Sequence, residues 1–328
     1  MKKNKIIGLL LINFLLSSCS LNIMNNSSSL INSQSNISTT SSSQSNISTT
    51  SSLESSTTTS LINNSSSNNI LEDPYENITY SQFYSNYKEA TSYEDAIYRT
   101  KHGFLSGSID YGSYLPQKNT IFSGNEFMKF NNYTYGYDSN NNIISYNINT
   151  KEGIYKTIYY NAAYVVLEEV AAYIFAFGEV PPNNNYDKGT TGKKQSIAKW
   201  GKYGRVNIGK YSNDTDRYPN EPELPLKDSK GKAYQYIETD IGLENYNNGS
   251  KINRGSYRIV FTGFYKDGTK VTDINERYVF YTYNHYEDFE EYLNYYGGWG
   301  NRFGYETSNY STPTPYVKAL IVDKNELD

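Results

Sequence analysis

One cysteine, Cys19, stands in a chain of 328 residues, so an intramolecular disulfide is ruled out. Histidine is almost as scarce: His102 and His285 are the two copies, and no series of His, Cys, Asp and Glu falls at metal-ligand spacing. Charge of one sign is not in large excess, and the net charge of −4 by itself argues against a polyanionic partner. The apolar run Ile6 to Leu16 is too short to span a bilayer comfortably. Charge is almost missing from Ser20 to Asn69, where Glu54 is the single ionised side chain.

What is there begins with a targeting pattern. Lys2, Lys3 and Lys5 precede the apolar run, and Leu16-Ser17-Ser18-Cys19 then resembles a bacterial lipobox, which predicts a lipoprotein signal over residues 1–19 with Cys19 as the lipidation site. The alternative is an ordinary secretory signal cleaved near Ser18. Acyl chains on Cys19 would hold the protein at the outer face of a membrane, each buried methylene contributing about 0.8 kcal/mol. Residues 20–69 are rich in Ser, Thr and Asn, and the decamer SQSNISTTSS occurs twice in succession from Ser33 and from Ser43. Such a segment has too little apolar surface to offset the entropy of ordering, so it reads as a disordered tether.

Residues 70–160 match no pattern that assigns a function. Tyr87 to Arg99 has a helical spacing, with Thr91-Ser92 ahead of Glu94 as a cap for its later turns, and the alternation around Asp138 to Asn142 predicts a hairpin. His102, which follows that helix, reads as a structural side chain. From Ala162 to Phe177 the helical signal is stronger. Val166, Val170, Tyr173, Ile174 and Phe177 recur at spacings of three and four, Glu168 and Glu169 fall off that stripe, and Gly178 with Pro181-Pro182 predicts the stop.

Three runs after it read as strands. In Tyr234 to Ile241, Tyr236, Glu238 and Asp240 share one face while Ile237, Thr239 and Ile241 share the other. Arg254 to Thr262 and Tyr278 to Tyr283 are rich in strand formers; an extended chain puts Arg254 and Arg258 on a common face, and the third run delivers His285 at its end. Val260, Phe261, Val279 and Phe280 are the apolar surface expected to receive the helix. Three adjacent antiparallel strands would then gather carboxylate, guanidinium and imidazole groups. That set suits cleavage of RNA by its own 2′-hydroxyl: a carboxylate takes the 2′ proton, an imidazolium supplies one to the leaving 5′ oxygen, and guanidinium groups hold the charge on phosphorus.

The order Glu-x-Asp, Arg-Gly-Ser-x-Arg-Ile-Val and Tyr-Thr-x-x-His-Tyr-x-x-Phe resembles the barnase-like, guanyl-specific bacterial ribonucleases. Upstream, Val170 to Asn183 (VAAYIFAFGEVPPN) is similar to the family's first helix and its exit turn, followed by Lys188, and Trp200 and Asp216 to Pro225 (DRYPNEPELP) fall in the order of its second helical region and guanine-binding loop. About 125 of the 328 residues are covered. The resemblance implies an α+β fold with N-terminal helices packed on a twisted antiparallel sheet over residues 161–291, flanked by the unassigned 70–160 region and a 292–328 extension.

It implies Glu238 as general base, His285 as general acid and Arg254 and Arg258 as the phosphate-binding pair, with Lys188 as a further active-site cation, although Lys193 and Lys194 stand nearby. Asp216, Asn220, Glu221 and Tyr286 are the implied substrate-binding residues. Asp240 is expected to support the site by pairing with Arg254 or Arg258. In this sequence Asn284 replaces the family's usual aspartate before the histidine. No cofactor or metal is implied; the expected partner is single-stranded RNA, the expected state a monomer, and the resemblance leaves room for an intracellular inhibitor protein. The other functional class compatible with the chain is a surface-binding lipoprotein that keeps the nuclease fold without the activity. Between Lys188 and Lys270 there are 16 Lys and Arg against 9 Asp and Glu, a local excess that suits RNA and would equally suit a solvated face.

Overall fold

The alternating run that begins at Tyr234 becomes a strand in the interior of a sheet, and its neighbours decide which of its side chains meet. The computed structural model describes residues 72–109, 128–131, 134–150, 153–184, 198–204, 208–242, 255–305 and 314–323. In chain order they form α1 (Tyr80–Ser85), α2 (Tyr93–His102), β1 (Met128–Phe130), β2 (Tyr135–Tyr137), β3 (Ile143–Asn149), β4 (Ile154–Tyr159), α3 (Leu167–Phe177), β5 (Ile208–Tyr211), β6 (Tyr234–Asp240), β7 (Arg258–Tyr265), β8 (Val279–Thr282), β9 (Asp288–Glu291), β10 (Phe303–Gly304) and β11 (Leu320–Val322). This is an α+β architecture with few helices. Its main sheet has six antiparallel strands in the order β10-β9-β8-β7-β6-β5.

Alternation along these strands sorts their apolar residues to two faces. Ile237, Ile259, Phe261, Val279 and Tyr281 pack in one cluster with α3, while Tyr236, Val260 and Phe280 join Tyr211, Tyr286, Phe289 and Phe303 in another. The helix therefore covers Phe261 and Val279 but not Val260 and Phe280. In register, Val260 lies opposite Phe280 and Phe261 opposite Val279, so each pair must share a face and the two pairs must part.

α3 begins at Leu167 and not at Ala162. Asn161 takes a left-handed φ of +57°, and the backbone of Tyr164 is engaged by the Asn183 side chain, whose oxygen accepts from Tyr164 N–H at 3.2 Å and whose amide donates to Tyr164 C=O at 2.8 Å. Those groups are thus committed to the exit turn. The helix ends at Gly178, left-handed at φ +72°, as the stop signal predicted.

Every residue of α3 except Phe177 is buried, Glu168 and Glu169 included, which corrects the expectation that these two face away. Glu168 accepts the Gly297 N–H at 2.5 Å. Glu169 accepts the Ser108 N–H at 2.9 Å and pairs with Lys156 at 2.5 Å. Burial pushes the Glu169 carboxyl above the ordinary glutamate range, with Lys156 pulling against it.

The 72–160 region is part of the same unit as the main sheet. α2 starts at Tyr93, capped by Ser92 Oγ accepting from Asp95 N–H at 3.2 Å, so the residues from Tyr87 to Thr91 stay outside it. α1, which no periodicity announced, is closed by a Thr79/Gln82 capping box. His102 has a structural contact, its Nε2 lying 3.0 Å from Asp73 Oδ2. The expected hairpin forms between β2 and β3, with Asp138 accepting backbone N–H groups of Asn140 and Asn142.

The run after Val317 supplies β11, which pairs in parallel with β1. Around that pair, Asn294 exchanges two hydrogen bonds with the Phe130 backbone, and buried Lys129 pairs with Glu291. The two segments outside residues 161–291 thus close on each other and on the end of the sheet. Among the described residues no helix is long and apolar enough to cross a membrane.

Candidate active site

Glu238 sits on β6, opposite Gly209 of β5 and Val260 of β7. A Cβ on residue 209 would lie 2.9 Å from Glu238 Oε1, so the glycine leaves the space that the carboxylate fills. Two residues along β6, Asp240 faces Arg258, the first residue of β7, which faces Thr282 on β8. Arg258 Nε is 3.0 Å from Asp240 Oδ1, and both side chains are almost wholly buried, at 3% and 0% exposure. Arg258 Nη1 also donates to the Tyr257 carbonyl at 2.7 Å. The guanidinium is held from two sides, and Asp240 thus pairs with Arg258; Arg254, the other partner expected for it, lies outside the described residues.

The chain leaves β8 through a turn that presents His285. His285 and Tyr286 both adopt left-handed φ values, +52° and +79°, unusual for two consecutive non-glycine residues. Thr282 organises the turn: its Oγ1 accepts from the N–H groups of Asn284 and Tyr286 at 3.2 and 3.1 Å and donates to Asp288 Oδ1 at 3.1 Å. The His285 N–H donates to Ser256 C=O at 3.3 Å, joining the turn to the loop that leads into Arg258. The His285 side chain is exposed, its ring 4.6 Å from that of Tyr286.

Tyr286 connects the His285 turn to Glu238. Its hydroxyl donates to Glu238 Oε2, and burial followed by that carboxylate pushes the phenol well above its usual range, with Arg258 opposing. Its ring packs 5.1 Å from Tyr211, whose hydroxyl donates to Glu221 Oε2 at 2.9 Å. Burial raises the Glu221 carboxyl, and the negative charges of Glu238 and Glu287 add to the effect. Glu221 therefore belongs to the same cluster as Glu238.

The loop that carries Glu221 is clamped by Asn213, whose side chain exchanges two 3.0 Å hydrogen bonds with the backbone of Leu224. Asp216 and Asn220 of this loop are exposed, and neither side chain makes a polar contact with the cluster among the described residues. Lys188, Arg254 and Cys19 lie outside the described residues. Tyr211, Gly209, Asn213 and Thr282 are site residues that sequence reasoning missed. Gly209 and Tyr211 alternate in the same phase as Glu238 and Tyr236, but only strand pairing reveals which carboxylate they flank.

Chemically, these residues offer an acceptor carboxylate with spare lone pairs on β6, a buried guanidinium on β7 and an exposed imidazole in the turn after β8. Comparison of the chain with protein-family models, with curated proteins and with solved structures finds no match.

Proposed function

We propose that the chain is an endoribonuclease with a barnase-like nuclease core, cleaving single-stranded RNA by transesterification. The observation that carries this reading is the convergence of Glu238, Arg258 and the His285–Tyr286 turn, drawn from three neighbouring strands onto one end of the sheet. α3 covers the opposite face and gives that end a rigid backing.

In the proposed reaction Glu238 takes the proton of the 2′-hydroxyl as the 2′ oxygen attacks phosphorus. The bond from phosphorus to the 5′ oxygen breaks, and protonated His285 delivers a proton to that oxygen, leaving a 2′,3′-cyclic phosphate and a free 5′-hydroxyl. Arg258 balances the charge that accumulates on the non-bridging oxygens, and Asp240 keeps its guanidinium aimed. Arg254 and Lys188 are proposed as further phosphate-binding cations. Glu221, with its raised carboxyl, is the group proposed to accept hydrogen bonds from a guanine edge. Lipidation at Cys19 would place this activity outside the cell, where it does not threaten the cell's own RNA.

The test is incubation of the purified protein with RNA and with DNA of the same sequence in EDTA. RNA alone should be cut, to cyclic phosphate ends. Equal cleavage of DNA, or loss of activity on chelation, would remove the mechanism. For the location, Cys19→Ser should shift the protein out of the membrane fraction, and unchanged acyl labelling would count against the lipid anchor.

A further inference from the structure

The chain beyond residue 291 returns to the candidate site. β10 pairs with β9 so that Gly304 faces Asp288, and the Tyr305 N–H donates to the Glu287 carbonyl at 2.7 Å. Gly304 and Thr314 exchange two backbone hydrogen bonds, of 2.8 and 3.0 Å, which bring Thr314 alongside β10. The Tyr316 ring then packs 5.6 Å from Phe280, and its hydroxyl donates to Glu291 at 2.8 Å. Phe280 lies opposite Val260 and Val260 opposite Glu238, so this segment rests on the sheet face that carries the proposed base.

Gly304 touches both halves of the site. It takes a left-handed φ of +93°, and a Cβ there would overlap the Glu287 carbonyl oxygen and stand 2.9 Å from Pro222 Cγ. Pro222 follows Glu221, the residue proposed to meet a guanine edge, and Glu287 lies two residues after His285, the proposed acid. The bare backbone of residue 304 therefore fills the gap between loop and turn, and the contact admits no side chain. Thr314, Pro315 and Tyr316 also face the loop, across a cavity of about 530 Å³ that Glu221 helps to line. A methyl group on residue 304 would push the Glu287 carbonyl away by about 1 Å, a misplacement that can cost an enzyme about a hundredfold in rate.

We propose that Gly304, held by its bridge to Thr314, is a positioning residue that clamps the Glu221 loop against the His285 turn. This rests on the ribonuclease reading and gives the 292–328 extension a part in base preference. The clamp acts through Glu221 and His285 and not on the reacting atoms, so its effect depends on which base the loop must hold.

The experiment compares the full chain with Gly304→Ala, with Thr314→Pro, which removes the N–H held by the Gly304 carbonyl, and with Gly297→Ala. Gly297 is also left-handed, at φ +69°, but a Cβ there meets nothing within 4 Å, so this variant carries the backbone strain without the contact. Two quantities are measured: hydrogen exchange of the amides in 218–224 and 285–287, and kcat/KM on four dinucleotides that differ in the base 5′ to the bond cut. Loss of folded protein scales all four rates by one factor, whereas a displaced loop changes their ratios. Gly304→Ala should speed exchange in both segments and reduce the ratio between the best and worst base by about tenfold. Thr314→Pro should act in the same direction, and it decides the matter if Gly304→Ala does not fold. Gly297→Ala should do neither. Exchange altered in one segment or in none, an equal loss on all four substrates, the same changes in Gly297→Ala, or a wild type that cuts all four alike would overturn the proposal. If the wild type cuts no RNA, the ribonuclease reading falls and exchange judges the clamp separately: faster exchange in both segments keeps the link between loop and turn, and unchanged exchange overturns it too.

Discussion

The Tyr286 hydroxyl donates to the Glu238 carboxylate across 48 residues of chain, joining the turn after β8 to the middle of β6. This bond ties the residue next to the proposed acid to the proposed base, and it orients Glu238 without using all of its lone pairs. Tyr286→Phe keeps the ring packed on Tyr211 while removing the donor. It should lower kcat/KM on RNA by about tenfold, since a hydrogen bond to a charged group contributes roughly 1.5–3 kcal/mol. An unchanged rate would mean that the contact has no part in positioning the base.

The division of labour between Glu238 and His285 is tested by changing the leaving group. His285→Ala should abolish nearly all cleavage of ordinary RNA, whose 5′ oxygen leaves poorly without a proton, and should matter far less for a nucleotide ester of nitrophenol. Glu238→Ala should slow both, because each still needs its 2′-hydroxyl activated. Equal losses on both substrates in the two variants would remove these assignments even if the protein is a ribonuclease.

Asp240 and Arg258 are buried together, so neutralising the carboxylate removes an ion pair that is shielded from water. Asp240→Asn should cost about 3 kcal/mol in urea unfolding. A loss under about 1 kcal/mol would indicate that the guanidinium is satisfied without this carboxylate.

Acid should loosen the amino-terminal helices through Asp73. Partial burial pushes Asp73 up, but hydrogen bonds from Lys101, His102 and the Tyr75 N–H outweigh it and hold the carboxyl at about 2, against an ordinary value of 3.8. A depressed carboxylate contributes stability that is complete above the unfolded value of 3.8 and is lost as pH falls through about 2. Hydrogen exchange in α2, corrected for intrinsic rates, should therefore rise across that window in the wild type. In Asp73→Asn the rise should be absent; an identical rise in both proteins would show that another group controls it.

Local pattern carried much of what the sequence determined. A period of two is set within a strand, so the shared face of Glu238 and Asp240 was legible in Tyr234 to Ile241 before any partner was known. Gly178 marked the end of α3 because a left-handed cap is a property of that residue itself. Tertiary structure decided everything that depends on which segments meet. The burial of Glu168 and Glu169 comes from Gly297, Ser108 and Lys156, distant in the chain, and no helical periodicity contains them. That Phe261 and not Val260 faces α3 follows from how the sheet packs, and Tyr211 joins Tyr286 only because β5 lies beside β6. Propensity acts over a few residues, whereas the site is assembled by long-range hydrogen bonds and packing whose partners become neighbours only on folding.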